Sequence, residues 1–322
     1  MIKSQSSHSP NVSVVMPVYN GARTLMEAVD SVLKQTYSDF ELIICNDAST
    51  DETENILNSI TDDRVRVLHN RQNLGEGPTR DRAIEVGRGV WLAVIDADDT
   101  WAPERLEVML REAEGSTDMM VFDDILRCHD TPSGMVPWHV LRGKHAFGCH
   151  GTDAVDVLTE TFVCSGRLLV KPLLPLIYVK QNNVHHCSQY GADTGFFLQL
   201  LSFGLRLRYL PKAMYYYRIA PGSMTTSTKR FVSFLEVLEN ALSYFEHEPN
   251  VQEALRKKIF SFTRVKYYQE FIWKLKSKKF IQAIRMVFQS PWVVRRFIRG
   301  IGEILQYHIH RIWHRGRPGG IR

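Results

Sequence analysis

The amino-acid sequence predicts an α/β fold with a mostly parallel central sheet. Apolar runs of strand length alternate with segments whose apolar residues recur at helical spacing, which is the pattern of βαβ units with right-handed crossovers. Polar residues gather where each run ends, above all in Asp-Ala-Asp-Asp at residues 96–99, after the apolar run 91–95. Open α/β sheets bind their ligands at this carboxyl edge, so the pattern also predicts where a functional site lies.

The predicted elements follow in regular order over residues 12–95. Apolar runs predict buried strands at residues 12–18, 42–45, 65–68 and 91–95. Helical spacing predicts the helices between them, from residue 25 to 33, through residues 56–60 and over residues 78–86.

The pattern beyond residue 113 is less regular. It predicts a strand at 119–122, a loop over 131–151, a helix through 196–201, and strands at 205–210 and 214–217. From residue 231 onward the pattern is helical and increasingly basic.

The composition is that of an ordinary globular protein, with 44% apolar and 23% charged residues in 322. No run reaches 18 apolar residues, and the start of the chain lacks the apolar core of a signal peptide, so no membrane span or leader is expected. The five cysteines are scattered and contain no Cys-x-x-Cys pair, which indicates a reducing compartment. These features predict a cytoplasmic protein.

The net charge of +5 hides an acidic body and a basic tail. Residues 251–322 carry 17 Lys and Arg against three acids, whereas the preceding residues carry 23 basic and 32 acidic groups. Between Pro291 and Trp313 apolar residues recur every three or four positions, with basic residues largely off that stripe. This pattern predicts an interfacial helix on the inner, anionic surface of a membrane. The alternative is that the stripe packs on the acidic body of the protein, and we prefer this alternative for residues 231–280. Nucleic acid is not an expected partner, because binding to nucleic acid would not require the apolar stripe.

The aspartates at 96, 98 and 99 carry the strongest chemical signal. Hard oxygen ligands suit Mg²⁺ or Mn²⁺, and such an ion would bridge the phosphates of a nucleotide. The alternative is that Asp-Asp-Thr caps the next helix, since Pro103 suits a first helical turn, but capping explains one acid and not three. The familiar glycine-rich phosphate loops are missing, which argues against a Rossmann dehydrogenase or a P-loop enzyme.

Several motifs, in order along the chain, resemble family 2 glycosyltransferases. They are Val-Ser-Val-Val-Met-Pro-Val-Tyr-Asn (12–20), Ser-Val-Leu-Lys-Gln-Thr-Tyr (31–37), Asn-Asp-Ala-Ser-Thr-Asp-Glu-Thr (46–53), Asn-Leu-Gly (73–75) and Asp-Ala-Asp-Asp-Thr-Trp-Ala-Pro-Glu-Arg-Leu (96–106). The segments 191–193 and 216–225 are similar to the bacterial exopolysaccharide branch, of the succinoglycan type. The resemblance implies a GT-A fold, a nucleotide-diphospho-sugar donor, Mn²⁺ or Mg²⁺ as cofactor, and inversion at the anomeric carbon.

The resemblance also implies roles for individual residues. The residues expected to contact the donor are Pro17, Tyr19, Asp47 (nucleobase), Arg80 and Asp96 (ribose). Asp98 is expected to bind the metal with Asp99 close by, and Asp193 to act as the catalytic base.

Two positions depart from the family pattern. Asp81 follows Arg80 where asparagine is usual, and Ala192 precedes Asp193 where glutamate is usual. Simpler roles are open for three site residues: Asp47 and Asp193 as helix caps, and Arg80 as a solvated helix residue.

The predicted organisation has four parts: a tail (1–10), a nucleotide-sugar-binding half (11–113), an acceptor-binding half (114–228) and a basic helical region (229–322). The expected reaction moves a sugar from a nucleotide-sugar, of the UDP type, to a glycan or lipid-linked oligosaccharide in bacterial surface polysaccharide biosynthesis. A nucleotidyltransferase and a non-catalytic partner that binds nucleotide-sugar or membrane are the alternatives.

Overall fold

The computed structural model describes residues 9–113, 116–140, 171–186, 192–219, 229–290 and 292–293, and the elements are numbered over these residues. The chain divides into two compact units, the first ending at Ile259 and the second beginning at Phe260.

The described strands form one sheet. They are β1 Val12–Val18, β2 Phe40–Asn46, β3 Val65–His69, β4 Trp91–Val94, β5 Thr100–Trp101, β6 Met119–Thr131, β7 Gly134–Val140, β8 Leu173–Pro175 and β9 Arg206–Ile219. Their order is β3-β2-β1-β4-β8-β6-β9-β5, and β7 pairs with β6.

The first four strands run parallel, which confirms that part of the prediction. β1 pairs with β2 and β4, and β2 pairs with β3. β1 and β2 are buried over their whole length because they are almost continuously apolar, as strands covered on both faces are. The carboxyl ends of β1, β2 and β4 therefore meet at one edge of the sheet, where the predicted site residues follow them.

The sheet is mixed beyond β4. β8 runs antiparallel to β4 and β6, whereas β6 and β9 are parallel to each other. β5 joins the far edge antiparallel to β9. This arrangement brings Lys171, just before β8, next to the carboxyl end of β4.

The predicted loop over residues 131–151 is wrong for 134–140, which form β7 and pair with β6. Gly134, the first residue of β7, adopts a φ of 109° directly after the turn, where an L side chain would be strained. The sequence pattern did not reveal β7 because its side chains are largely exposed on both faces. Residues 141–151 lie outside the described residues.

The described helices cover the sheet and form the C-terminal region. They are α1 Leu25–Leu33, α2 Thr53–Asn58, α3 Glu76–Glu85, α4 Arg105–Ala113, α5 Leu176–Gln181, α6 Ala192–Ser202, α7 Lys229–Tyr244, α8 Pro249–Lys276 and α9 Phe280–Gln289. The main core lies between the strands and helices α1 and α4, which contribute Leu25, Val29, Leu106 and Met109.

The second unit has its own small core. α9 packs against the end of α8 around Phe271, Ala283 and Met286. Among the described residues, no helix combines the length and the apolar character that crossing a bilayer requires. The amphipathic helix predicted for residues 291–313 lies outside the described residues, apart from positions 292 and 293.

Candidate functional site

The loops that follow β1 and β2 are fixed to each other at the carboxyl edge of the sheet. The backbone N–H of Asn20 donates to Ser49 Oγ at 2.9 Å, and Asn20 Oδ1 accepts from the backbone N–H of Thr50 at 2.8 Å. A Cβ on Gly21 would lie 2.6 Å from Val18 Cγ2, so the turn needs glycine. Next to this rigid turn, Pro17 is buried within β1 and Tyr19 is exposed at its end.

Asp47, at the end of β2, is buried and holds the loop before α3. Its Oδ1 accepts from the backbone N–H of Leu74 at 2.8 Å and from Asn70 Nδ2 at 2.7 Å. Its Oδ2 accepts from the backbone N–H of Gly75 at 2.9 Å. At the start of the helix after β2, the backbone N–H of Thr53 donates to Asp51 Oδ1 at 3.0 Å and not to Asp47. Asp47 therefore shapes the loop at residues 70–75, which leads directly to Arg80.

Arg80 is fully buried on α3, not solvated on its surface. Its guanidinium pairs with Glu76 one turn earlier, with Asp96 Oδ1 at 2.8 Å, and with Asp193. The strand end at β4 and the start of α6 are thus connected through one arginine. The structure brings together three residues that the sequence assigned to the site, Arg80, Asp96 and Asp193.

Lys171 is a second buried cation in this cluster, and the sequence analysis missed it. Its Nζ lies 2.7 Å from Asp96 Oδ2 and 2.8 Å from Asp193 Oδ2. Burial disfavours its charge, but the carboxylates of Asp193 and Asp96 more than offset that cost and raise the pKa of Lys171. No motif surrounds Lys171, and only the antiparallel course of β8 brings it to the site.

Asp193 lies in the first turn of α6 with its side chain 26% exposed. Burial opposes its ionisation, but Arg80 and Lys171 more than compensate and lower the pKa of Asp193. The carboxylate is therefore ionised, and each of its oxygens already contacts a cation.

His186 lies beside Asp193, again without a signal in the sequence. Asp81, the departure from asparagine, accepts from the Nδ1–H of His186 and, at 3.0 Å, from its backbone N–H. The ring stacks on Phe196 at 4.3 Å, and its Nε2 lies 4.0 Å from Asp193 Oδ1. Burial lowers the pKa of His186. The change to Asp81 thus has a structural counterpart in this histidine.

The two adjacent aspartates predicted near the metal lie in different surroundings. Asp99 is fully buried, and its carboxylate accepts from the Tyr215 hydroxyl at 2.7 Å and from the backbone N–H of Arg218 at 2.8 Å. Asp98 is exposed, and among the described residues it makes no ion pair. Protein around its carboxylate and the nearby charge of Asp96 raise the pKa of Asp98 to about 6.

Asp98 offers one exposed carboxylate, a ligand type that a divalent cation takes. A cation there would relieve the local excess of negative charge that raises the proton affinity of Asp98. The described residues contain no group of three or more His, Cys, Asp or Glu side chains arranged to hold an ion by themselves. Mg²⁺ in nucleotide sites typically uses one or two carboxylates and completes its shell with phosphates and water, so a single carboxylate such as that of Asp98 is compatible with a site of this kind.

A family model described as glycosyl transferase family 2 matches residues 13–156. The chain is similar to the succinoglycan biosynthesis protein ExoO of Rhizobium meliloti (strain 1021), at 24% identity over 311 residues, covering 95% of this chain and 89% of that protein. It is also similar to the UDP-Glc:alpha-D-GlcNAc-diphosphoundecaprenol beta-1,3-glucosyltransferase WfgD of Escherichia coli, at 36% identity over 99 residues. That alignment spans 31% of this chain and 39% of the relative.

Two solved structures share the architecture. Staphylococcus aureus TarS 1–349 in complex with UDP-GlcNAc gives a TM-score of 0.64 at 19% identity, covering 86% of this chain and 79% of that one. The mannosyltransferase PcManGT from Pyrobaculum calidifontis, in complex with GDP-Man and Mn²⁺, gives 0.62 at 16% identity, covering 95% and 84%. At these identities the likeness is one of fold, and it confirms the predicted GT-A fold.

Proposed function

This chain is a glycosyltransferase of family 2, and we propose that it inverts the anomeric centre as it moves one sugar per encounter from a nucleotide-diphospho-sugar. The donor is of the UDP type, and the acceptor is a glycan or a lipid-linked oligosaccharide of a bacterial surface polysaccharide. The observation that carries the proposal is the cluster of Arg80 and Lys171 with Asp96 and Asp193 at the carboxyl edge of the sheet. The relative named for a diphosphoundecaprenol acceptor supports the lipid-linked class.

The donor occupies the edge formed by the ends of β1, β2 and β4. Tyr19 presents an exposed ring at the end of β1, and Pro17 and Asp47 are buried at the neighbouring ends of β1 and β2. Asp47 serves the nucleobase by ordering the backbone at residues 74–75, and its direct contact with the base stays a prediction. Asp96 is assigned to the ribose hydroxyls, within reach of both cations.

The reaction is one in-line displacement at the anomeric carbon. The acceptor oxygen forms the new bond to this carbon while the bond to the diphosphate breaks and its electron pair leaves with the phosphate oxygen. Asp193 takes the proton of the acceptor hydroxyl, and Arg80 offsets the charge that develops on the diphosphate. Asp98 would hold a Mg²⁺ or Mn²⁺ ion, which would supply further stabilisation of that charge.

An anionic membrane surface, at the inner face of the cytoplasmic membrane, is the proposed location. α9 exposes Phe280, Ile281, Ile284 and Phe288, with Ile281 84% and Phe288 82% accessible. Lys276, Lys278 and Lys279 precede this face, and each basic residue near an anionic surface contributes about 1 kcal/mol. A helix with one apolar face and basic flanks lies in the membrane interface.

Incubation with labelled UDP-sugars and Mn²⁺ tests the proposal. We expect the sugar to appear on a glycan or lipid acceptor, with release of UDP. Release of pyrophosphate would identify a nucleotidyltransferase instead. Binding of UDP-sugar without turnover, under conditions that include lipid-linked acceptors, would identify a non-catalytic partner, which Ala192 makes worth testing.

A further inference from the structure

The cluster around Arg80 holds more negative than positive groups. Glu76, Asp96 and Asp193 contribute three carboxylates, while Arg80 and Lys171 contribute two cations. Both cations contact both Asp193 and Asp96. These two carboxylates therefore compete with any other anion for the cations, and Asp193 is the one that the proposed reaction needs free of them.

A nucleoside diphosphate brings such an anion to the same edge of the sheet. Phosphate oxygens take charge-assisted hydrogen bonds from guanidinium and ammonium groups as carboxylates do. The lysine side chain is flexible, and Arg80 Nε is buried without a hydrogen-bond partner among the described residues. Asp96 and Asp193 are both partly exposed to solvent, and each pairs with the buried cations. A ligand that displaces these carboxylates would therefore contact the cations directly.

We propose that Lys171 and Arg80 form an ion-pair switch, holding Asp193 in the free enzyme and turning to the donor diphosphate on binding, which releases Asp193 to act as base. This inference rests on the proposed function and deepens it. It assigns Lys171 a contact with the donor, and it makes the base available only when the donor is present.

The proton affinity of Asp193 follows from the same exchange. In the free enzyme Arg80 and Lys171 lower the pKa of Asp193, which makes it a weak base. His186 faces it at 4.0 Å, and Glu76 and Asp96 lie across the two cations. Once the two cations turn to phosphate, burial and the neighbouring acids outweigh the remaining influence of His186 and raise the pKa of Asp193 towards a value suited to accept a proton.

The direction in which one substitution changes UDP affinity tests the switch, and this measurement requires no turnover. Asp193→Asn removes one of the two competing carboxylates, so UDP binding in the presence of Mn²⁺ should tighten by roughly fivefold or more, on the scale of typical couplings between sites. Lys171→Met should weaken UDP binding by a similar factor. Lys212→Met is the matched control, since Lys212 is an exposed lysine paired with Glu104 at 2.8 Å. Isothermal titration of the full chain with UDP measures all three, and the control should bind as the wild type does.

Pyrophosphate and uridine serve as partial probes. Pyrophosphate should show the same tightening in Asp193→Asn, while uridine should not, because the switch acts on phosphate alone. Unchanged or weaker UDP binding by Asp193→Asn overturns the switch. The titration of Asp193→Asn is sufficient for this conclusion even if Lys171→Met fails to fold. A wild-type chain that binds neither UDP nor GDP contradicts the proposed function itself, so the two failures are distinguishable.

Discussion

Arg80 and Arg105 are both fully buried, yet they differ in the number and the exposure of the acids with which they pair. Arg105 makes a two-point contact with Asp123, at 3.1 and 2.9 Å, and Asp123 is 1% exposed. Its guanidinium also lies over the rings of Trp101 and Tyr215, at 4.5 and 5.3 Å. Arg80 instead pairs with three acids, two of which are about a quarter open to solvent.

The difference separates a structural pair from a functional cluster. Arg105 and Asp123 form one ion pair that is closed from water, so a ligand cannot reach it. Arg80 and Lys171 face three acids in a cluster that is partly exposed to solvent, so an incoming phosphate can change which charges pair. Burial of an arginine is therefore a poor guide to function by itself, and the number and exposure of its partners decide.

The largest effect is expected at Asp193 in the open cluster. Asp193→Asn removes the proposed base, so kcat should fall by about 10²–10⁴-fold while the fold is kept. Asp123→Asn in the closed pair should instead lower stability. Sugar transfer and thermal unfolding measured on both variants separate the two roles. Full turnover by Asp193→Asn would direct the search to Asp153, outside the described residues, because Asp123 and Asp124 are buried.

Removal of each arginine should give opposite profiles. Arg105→Met removes the cation that faces the buried carboxylate of Asp123, so the free energy of unfolding should fall by about 3–5 kcal/mol. Arg80→Met should lower the free energy of unfolding by less, because Asp96 and Asp193 still pair with Lys171 and are partly exposed to water. The same substitution should abolish UDP binding. Urea unfolding and UDP titration of both variants give the answer. Equal losses of stability would contradict the distinction.

The adjacent aspartates 98 and 99 repeat the comparison on a smaller scale. Asp98→Asn should reduce kcat by about two orders of magnitude with little loss of stability, since the metal contributes several kcal/mol to the transition state. Asp99→Asn should mainly lower the stability of the fold, because the Tyr215 hydroxyl and the backbone N–H of Arg218 both donate to the buried carboxyl group of Asp99. EDTA should inhibit the wild type and Mn²⁺ restore it. Undiminished activity of Asp98→Asn in EDTA would rule out Asp98 as the ligand.

Helix α9 also has a closed and an open face, formed by Ala283 and Met286 on one side and by Ile281 and Phe288 on the other. Replacing both Ile281 and Phe288 by Asp should weaken binding to anionic vesicles by roughly tenfold, because apolar contact with the interface is lost. Gln282→Asp adds a charge beside that face and serves as the control. Sedimentation with anionic vesicles measures the binding of each variant, and a chain truncated after Ser290 is measured in parallel. Equal binding by all variants, or by none, would reject α9 as the contact.

The smallest effect concerns the acid stability of the open cluster. The pKa of Asp193 is lowered in the folded chain, so its ion pairs stabilise the fold above the unfolded pKa of about 3.9. That contribution should decline as the pH falls from about 4 towards the lowered value. Urea unfolding between pH 2 and 6 should show a shallower decline for Asp193→Asn than for the wild type. Parallel curves for the two chains would contradict the paired state of Asp193.

The sequence by itself determined the parallel strands and the edge at which the site lies. The four runs that end at residues 18, 45, 68 and 95 match β1 to β4, because apolar periodicity is a local property of the chain. Since parallel strands present their carboxyl ends together, Asp47 and Asp96 were bound to share one edge. The roles of the single residues named from the motifs stay predictions.

Only the tertiary structure decided which of these side chains form ion pairs and which of them are exposed to solvent or buried. Asp193 meets Arg80 across 113 positions of sequence, and Tyr215 and Arg218 close over Asp99 from 116 and 119 positions away. Lys171 reaches the cluster because β8 runs antiparallel between β4 and β6, a pairing that no local pattern encodes. The state of charge of a carboxylate depends on such distant partners, since burial and neighbouring ions set it together.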